Sequence, residues 1–134
     1  MTVAFENEFI IYGHQDDYAV FRYKAPTPND EIRKAITSFV EYVKEQGLKM
    51  HLADSGNMGT VSVEVQEWVA KEVMPEMAKN AGGKYKMAGI LSGDVFASFA
   101  FQNVARRTTV DGVSMCMFDN EPEAVAWLKE GFED

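Results

Sequence analysis

A single cysteine, Cys116, in 134 residues excludes an internal disulfide framework and any cysteine-rich zinc site. No apolar run approaches the ~20 residues that cross a bilayer, so membrane insertion is not expected. Basic residues are in deficit, 13 Lys and Arg against 21 Asp and Glu, for a net charge of -8. Nucleic acid and anionic bilayers both select Lys/Arg-rich surfaces, so neither is an expected partner. No basic stretch followed by an apolar core opens the chain, which reads as lacking a secretory signal and so as cytoplasmic. Repeats, low-complexity tracts and linkers are absent too.

What is present suits one folded unit. Apolar residues make up 46% and charged residues 25%, an ordinary globular composition with enough mass for a core. Residues 1–134 are therefore read as a single domain.

Glu8 to His14 and Tyr18 to Lys24 are rich in aromatic and β-branched residues and read as a hairpin turning at Gln15-Asp16-Asp17. Alternation puts Ala19, Phe21 and Tyr23 on one face, and Val20 and Arg22 on the other. A helix follows, with Thr27 as the expected cap, Pro28 first and Asp30 in the first turn. Its buried stripe is Ile32, Ala35, Ile36, Phe39, Val40 and Val43, and Gly47 ends it. Leu48 to Ala53 is a short strand closing at Asp54.

Beyond the loop 55–60, a second helix carries Val61, Val65, Trp68, Val69, Val73 and Met77. Pro75 predicts a kink or break near Val73. Gly82-Gly83 ends that helix, and Tyr85 to Leu91 is apolar enough for a strand covered on both faces. Ser92 or Asp94 caps a third helix reaching about Ala105. Thr108 to Gly112 reads as a loop and Val113 to Phe118 as the last strand. Asn120 and Glu123 form a capping box for a final helix bearing Ala124, Val125, Trp127 and Leu128, stopped at Gly131. The expectation is an α/β fold of order β-β-α-β-α-β-α-β-α, with a five-stranded, mixed but mostly parallel sheet.

Certain residues stand at particular joints of that order. Leu52-Ala53-Asp54 closes a strand, and Trp68-Val69-Ala70 and Met74-Pro75 lie in the next helix. Lys86-Met87-Ala88-Gly89-Ile90-Leu91 precedes Asp94-Val95-Phe96, and Met117-Phe118-Asp119 precedes Glu123-Ala124-Val125-Ala126-Trp127-Leu128. In these features, over nearly its whole length, the chain resembles the SpoIIAA-like group of bacterial proteins, related to STAS domains and, in fold, to CRAL-TRIO carriers. The resemblance implies a sequential parallel sheet, and many members of the group have no established activity. STAS proteins that oppose anti-sigma factors are phosphorylated on a serine after Asp where the second helix starts, which points to Ser55 of Asp54-Ser55-Gly56. Only one serine is present, and Asn57-Met58-Gly59 intervenes before the apolar helix. The plainer reading is a polar turn in which Gly56 supplies an unusual backbone angle, and the residues favour it.

Asp54, Asp94 and Asp119 each fall at the carboxyl end of a predicted parallel strand, the edge where open α/β sheets bind ligands. Together they could hold Mg²⁺; as caps and turn residues they are ordinary, so no metal or other cofactor is assigned. Gly56 and Gly59 lack the Lys-Ser/Thr of a phosphate loop. His14 and His51 have no ligand at metal spacing, and a strand histidine such as His51 is more often packed than a general base. Cys116 sits mid-strand, where burial quietens a thiol.

In the third helix, at about 100° per residue, Phe101 falls about 140° from Phe96 and about 160° from Phe99. One aromatic side must therefore be covered by something other than the sheet: the loop 106–112, a second subunit or an apolar ligand. Met58, Met74, Met77 and Met87 could line an adaptable surface or fill the core. The face assigned to a ligand or partner is Asp54, Ser55, Gly56, Ser92, Asp94, Phe101 and Asp119. The leading functional expectation is a non-catalytic regulatory module that contacts a protein partner and forms a homodimer. A binder of an apolar or anionic small molecule comes second, and an enzyme using Asp54 and His51 third.

Overall fold

The computed structural model describes residues 1–92 and 107–131. Its elements are β1 (Thr2–Glu6), β2 (Ile10–Gln15), β3 (Tyr18–Tyr23), α1 (Asn29–Gln46) and β4 (Met50–Asp54). Then come α2 (Val63–Trp68), a π-helical turn (Val69–Val73), α3 (Met74–Asn80), β5 (Tyr85–Ile90), β6 (Arg107–Val110), β7 (Val113–Phe118) and α4 (Glu121–Lys129).

The strands form one seven-stranded sheet in the order β1-β2-β3-β4-β5-β7-β6. The pairs β3–β4, β4–β5 and β5–β7 are parallel, whereas β1–β2, β2–β3 and β6–β7 are antiparallel. The α/β class and a mixed sheet match the expectation, but the count of five strands and the mostly parallel pairing do not, since half of the pairings are antiparallel. Both additional strands are edges. β1 is exposed along most of its length, so it lacks the one-sided alternation that marks a strand in sequence. β6 takes up most of the segment expected to be a loop. Its hairpin with β7 turns at Asp111 (φ 53) and Gly112 (φ 81), the Asp-Gly pair suited to a tight two-residue connection. The predicted third helix, from Ser92 or Asp94 to about Ala105, lies outside the described residues apart from Ser92.

β1 can pair with β2 only because residue 13 is glycine. A Cβ there would stand 1.9 Å from the Thr2 carbonyl oxygen, far inside van der Waals contact.

α1 and the α2–α3 segment cover one face of the sheet. Ile32, Ala35, Phe39, Val40 and Val43 of α1, and Val65, Val73, Met74, Met77 and Ala78 from the second segment, share a core with Ile10, Tyr12, Ala19, Phe21, Tyr23, Tyr85 and Val113. Tyr12 is the hub of its aromatic part, with ring centroids 5.2 Å from Phe5, 5.3 Å from Phe39 and 5.6 Å from Tyr42. Each large apolar side chain buried this way contributes roughly 1.5–3 kcal/mol. α4 covers the other face, where Ala124, Trp127 and Leu128 pack on Tyr18, Val20, Met50, Leu52, Ala88, Ile90, Cys116 and Phe118. The predicted alternation in β3 holds.

One helix end departs from expectation, and one expected break takes a specific form. Thr27 does not cap α1; its hydroxyl donates to the Ala25 carbonyl (2.8 Å) and Pro28 is the cap residue. The break expected near Val73 is a widened π turn over Val69–Val73. Pro75 has no N–H to give Lys71 and its ring crowds that carbonyl, and a longer turn accommodates both. Gly47 (φ 67) ends α1, and Asn120 caps α4 by accepting from the Glu123 N–H at 3.0 Å. No helix among the described residues is long and apolar enough to cross a membrane.

Candidate functional site

The carboxyl ends of the parallel strands gather the predicted polar residues along one rim. Asp54 closes β4 and pairs in register with Ile90 of β5, which pairs with Phe118 of β7. Ser92 and Asp119 therefore follow at neighbouring strand ends, each strand ~4.8 Å from the next. Asp94 and Phe101 lie outside the described residues, so the structure brings together only Asp54, Ser55, Gly56, Ser92 and Asp119.

The organising side chain of this rim is one that sequence reasoning missed. Arg22, near the end of β3, donates through one guanidinium nitrogen to Asp54 Oδ2 at 2.7 Å and through the other to Glu121 Oε1 at 2.5 Å. Two strands and the head of α4 are thereby joined by one cation. Burial alone would lower the Arg22 pKa, but its hydrogen bonds to Glu121 and Asp54, together with their charges, outweigh it and hold it raised. The signal was available: an arginine in an otherwise apolar-aromatic strand, two residues from Val20 on the α4 face, needs an acidic partner when half covered.

The second oxygen of Asp54 accepts from the Gly56 N–H at 3.2 Å. The Ser55 N–H donates to the Ile90 carbonyl (2.9 Å), and the Met58 N–H donates to the Ser55 carbonyl (3.2 Å). Asp54-Ser55-Gly56 is thus a polar turn tied to β5. Two expectations about it need correction. Gly56 does not take a positive φ; Gly59 does (φ 78), with Pro26 packed so close that a Cβ would meet it at 2.9 Å. Ser55 is also not at a helix start, because α2 begins at Val63 behind the Ser62 cap, whose hydroxyl accepts from the Val65 N–H at 3.2 Å. A phosphate on Ser55 would not gain that helix terminus.

Asp119 is exposed and accepts from the Asn120 side-chain amide at 2.9 Å. No group of three or more His, Cys, Asp or Glu among the described residues is arranged to hold a metal ion.

The histidines lie elsewhere. His51 is buried on the α1 face, with Nδ1 and the Tyr85 hydroxyl in a 2.7 Å hydrogen bond and the Phe39 ring edge-on at 5.2 Å. Burial pushes its pKa down to about 3 and the Tyr85 phenol well above its ordinary value. His51 is therefore neutral at physiological pH, and its Nδ1 is occupied. His14 bonds to the Tyr42 hydroxyl at the far end of α1. Cys116 is buried under α4. Among the methionines, Met74 and Met77 are core, whereas Met58, Met87 and Met115 are only partly buried against it. No protein-family model matches this chain, and no curated protein shows significant similarity to it.

Proposed function

We propose that this chain is a non-catalytic interaction module of the SpoIIAA-like or STAS type, which works through its carboxyl rim and self-associates as a homodimer. The carrying observation is the Arg22 bridge. Ion pairs this accessible add little stability, ~0–1 kcal/mol, so its main effect is positional. It fixes the β4 turn against the start of α4 and leaves Ser55, Asp119 and Glu121 at accessible positions of a rigid edge. Such an edge suits protein contact, whose rim contacts are polar and oriented. The state of His51 supports the same reading, since a general base must have its pKa near the working pH and reach a substrate proton. Regulation by Ser55 phosphorylation is not part of the proposal, given the position of that serine.

A second reading, a small-molecule binder, draws on the partly buried Met58, Val61, Trp68, Met87 and Met115 on the α2 side of the sheet. Sedimentation velocity and native mass spectrometry, on the wild type and on Ser55→Arg and Asp119→Arg, decide between the two. The proposal expects a dimer that both substitutions weaken. A monomer carrying a co-purified small molecule would establish the second reading, and a bare monomer would contradict the dimer.

A further inference from the structure

Away from the rim, an open groove of about 910 Å³ runs between the outer face of α1 and the edge of the sheet. Tyr42, half-buried, supplies aromatic surface in its lining, and the buried Tyr12 lies at its floor. The bond between Tyr12 Oη and Ser38 Oγ (2.8 Å) and the one between Tyr42 and His14 fix both rings. One wall carries charge in a definite order: Arg33 and Lys34 toward the start of α1, Glu41 and Glu45 toward its end. From residue 33 to residue 45 is roughly 18 Å along the helix. Arg33 is steadied by the Trp68 ring, 5.0 Å below its guanidinium.

The opposite wall is β1, represented by Ala4. β1 ends the sheet order, so among the described residues no strand lies beyond it. Val3 is 51% exposed. The register shift between Val3 and Phe5 is a bulge, which limits how much of this edge another strand can pair with. Any occupant must therefore gain its specificity from the groove as well as from main-chain bonds. Because β1 is antiparallel to β2, and β2 to β3, β1 runs with β3; α1, the crossover between parallel β3 and β4, runs back against both.

We propose that this groove binds an extended peptide segment of a partner protein, added antiparallel to β1 and so running in the direction of α1. Its acidic residues lie over Arg33 and Lys34, an apolar side chain rests on Tyr42, and its basic residues lie over Glu41 and Glu45. At ~3.4 Å per residue, about five or six residues span the charge pattern. Strand addition beside a helix uses main-chain bonds for affinity and side-chain pockets for selectivity. The site is separate from the rim and does not depend on its role.

The test uses two fluorescein-labelled peptides, one with an acidic N-terminal third, a Leu-Tyr centre and a basic C-terminal third, the other with the charges reversed. Anisotropy titrations are run with the wild-type protein and with the charge-exchanged variant Lys34→Glu/Glu45→Lys, both positions being exposed on α1. The first peptide is expected to bind the wild type about tenfold more tightly than the second. The preference should invert in the variant, and amide shifts on binding should cluster in β1 and α1. Absence of binding by both peptides, equal affinities, a wild-type preference for the reversed peptide, or a preference unchanged in the variant would each overturn the proposal.

Discussion

Tyr85 and Lys86 are neighbours in β5, yet they enter opposite cores, and the two cores deal with a buried polar group in opposite ways. On the α1 face, Tyr85 meets His51 in a neutral hydrogen-bonded pair walled by Phe39 and depressed to a histidine pKa of about 3. On the α4 face, Lys86 is 4% exposed and donates to the Trp127 carbonyl at 2.6 Å and the Gly131 carbonyl at 2.8 Å, with Nζ 4.2 Å from the centre of the Trp127 ring. The Trp127 carbonyl also accepts from the Glu130 N–H at 3.3 Å; carbonyls at a helix C-terminus carry partial negative charge, so the amine adds a second donor to the end of α4 from beneath. One face keeps its titratable pair by suppressing charge, the other by placing an amine where a helix end needs one. The first arrangement is sensitive to acid. The second locks α4, and with it Glu121, to the sheet.

The largest effect is expected from Lys86→Met, which keeps the length of the side chain and removes its donors. Losing two hydrogen bonds from a buried charged donor costs about 3 kcal/mol, read by urea denaturation, and hydrogen exchange should rise in α4 before it rises in α1. Equal loosening of both helices would erase the contrast between the faces.

Acid comes next. An unfolded histidine takes a proton near pH 6.5, but His51 in the folded chain resists until about pH 3. Its contribution is therefore complete above about pH 6.5 and is lost as pH falls toward 3, at up to ~1.4 kcal/mol per pH unit. Between about pH 6.5 and pH 5 the wild type should lose roughly 2 kcal/mol through this group. His51→Gln should show a flatter acid limb in the same denaturation series, whatever its absolute stability.

Tyr85→Phe should be milder, about 1.5 kcal/mol, since it removes one hydroxyl and leaves the buried imidazole without that partner. Arg22→Gln should fall below about 1 kcal/mol in stability, as expected for a partly exposed ion pair. It should nevertheless weaken self-association measured by sedimentation, because the β4 turn loses its tether to α4. A loss of several kcal/mol instead would make Arg22 a folding element rather than an organiser of the rim.

Much of this was legible because it is periodic. The α1 stripe from Ile32 to Val43 and the two faces of β3 follow from 3.6- and 2-residue repeats, and β5 from its continuous apolar run. Local chemistry gave Gly47, the Asn120 cap and a disturbance ahead of Pro75. The edges were illegible for a physical reason: β1 and β6 are not buried enough to show a pattern, although Asp111-Gly112 between β-branched runs signals a hairpin. Of the site, Asp54 and the turn after it were visible from their position at a strand end. Arg22 showed only as a charge in an apolar strand; its partners and the role of Lys86 did not show, because an ion pair across 32 residues and an amine bonded to a helix end from another element leave no local trace.

The proposed interaction role rests on His51 being a structural side chain that stays neutral at physiological pH. NMR of the imidazole nitrogens, followed from about pH 7.5 down to pH 4.5 in the folded protein, tests this directly. The structure predicts nitrogen shifts of a neutral ring with no midpoint in that range. A titration centred near pH 6.5 would mean that water and protons reach His51, contradicting its burial and returning it to consideration as a base.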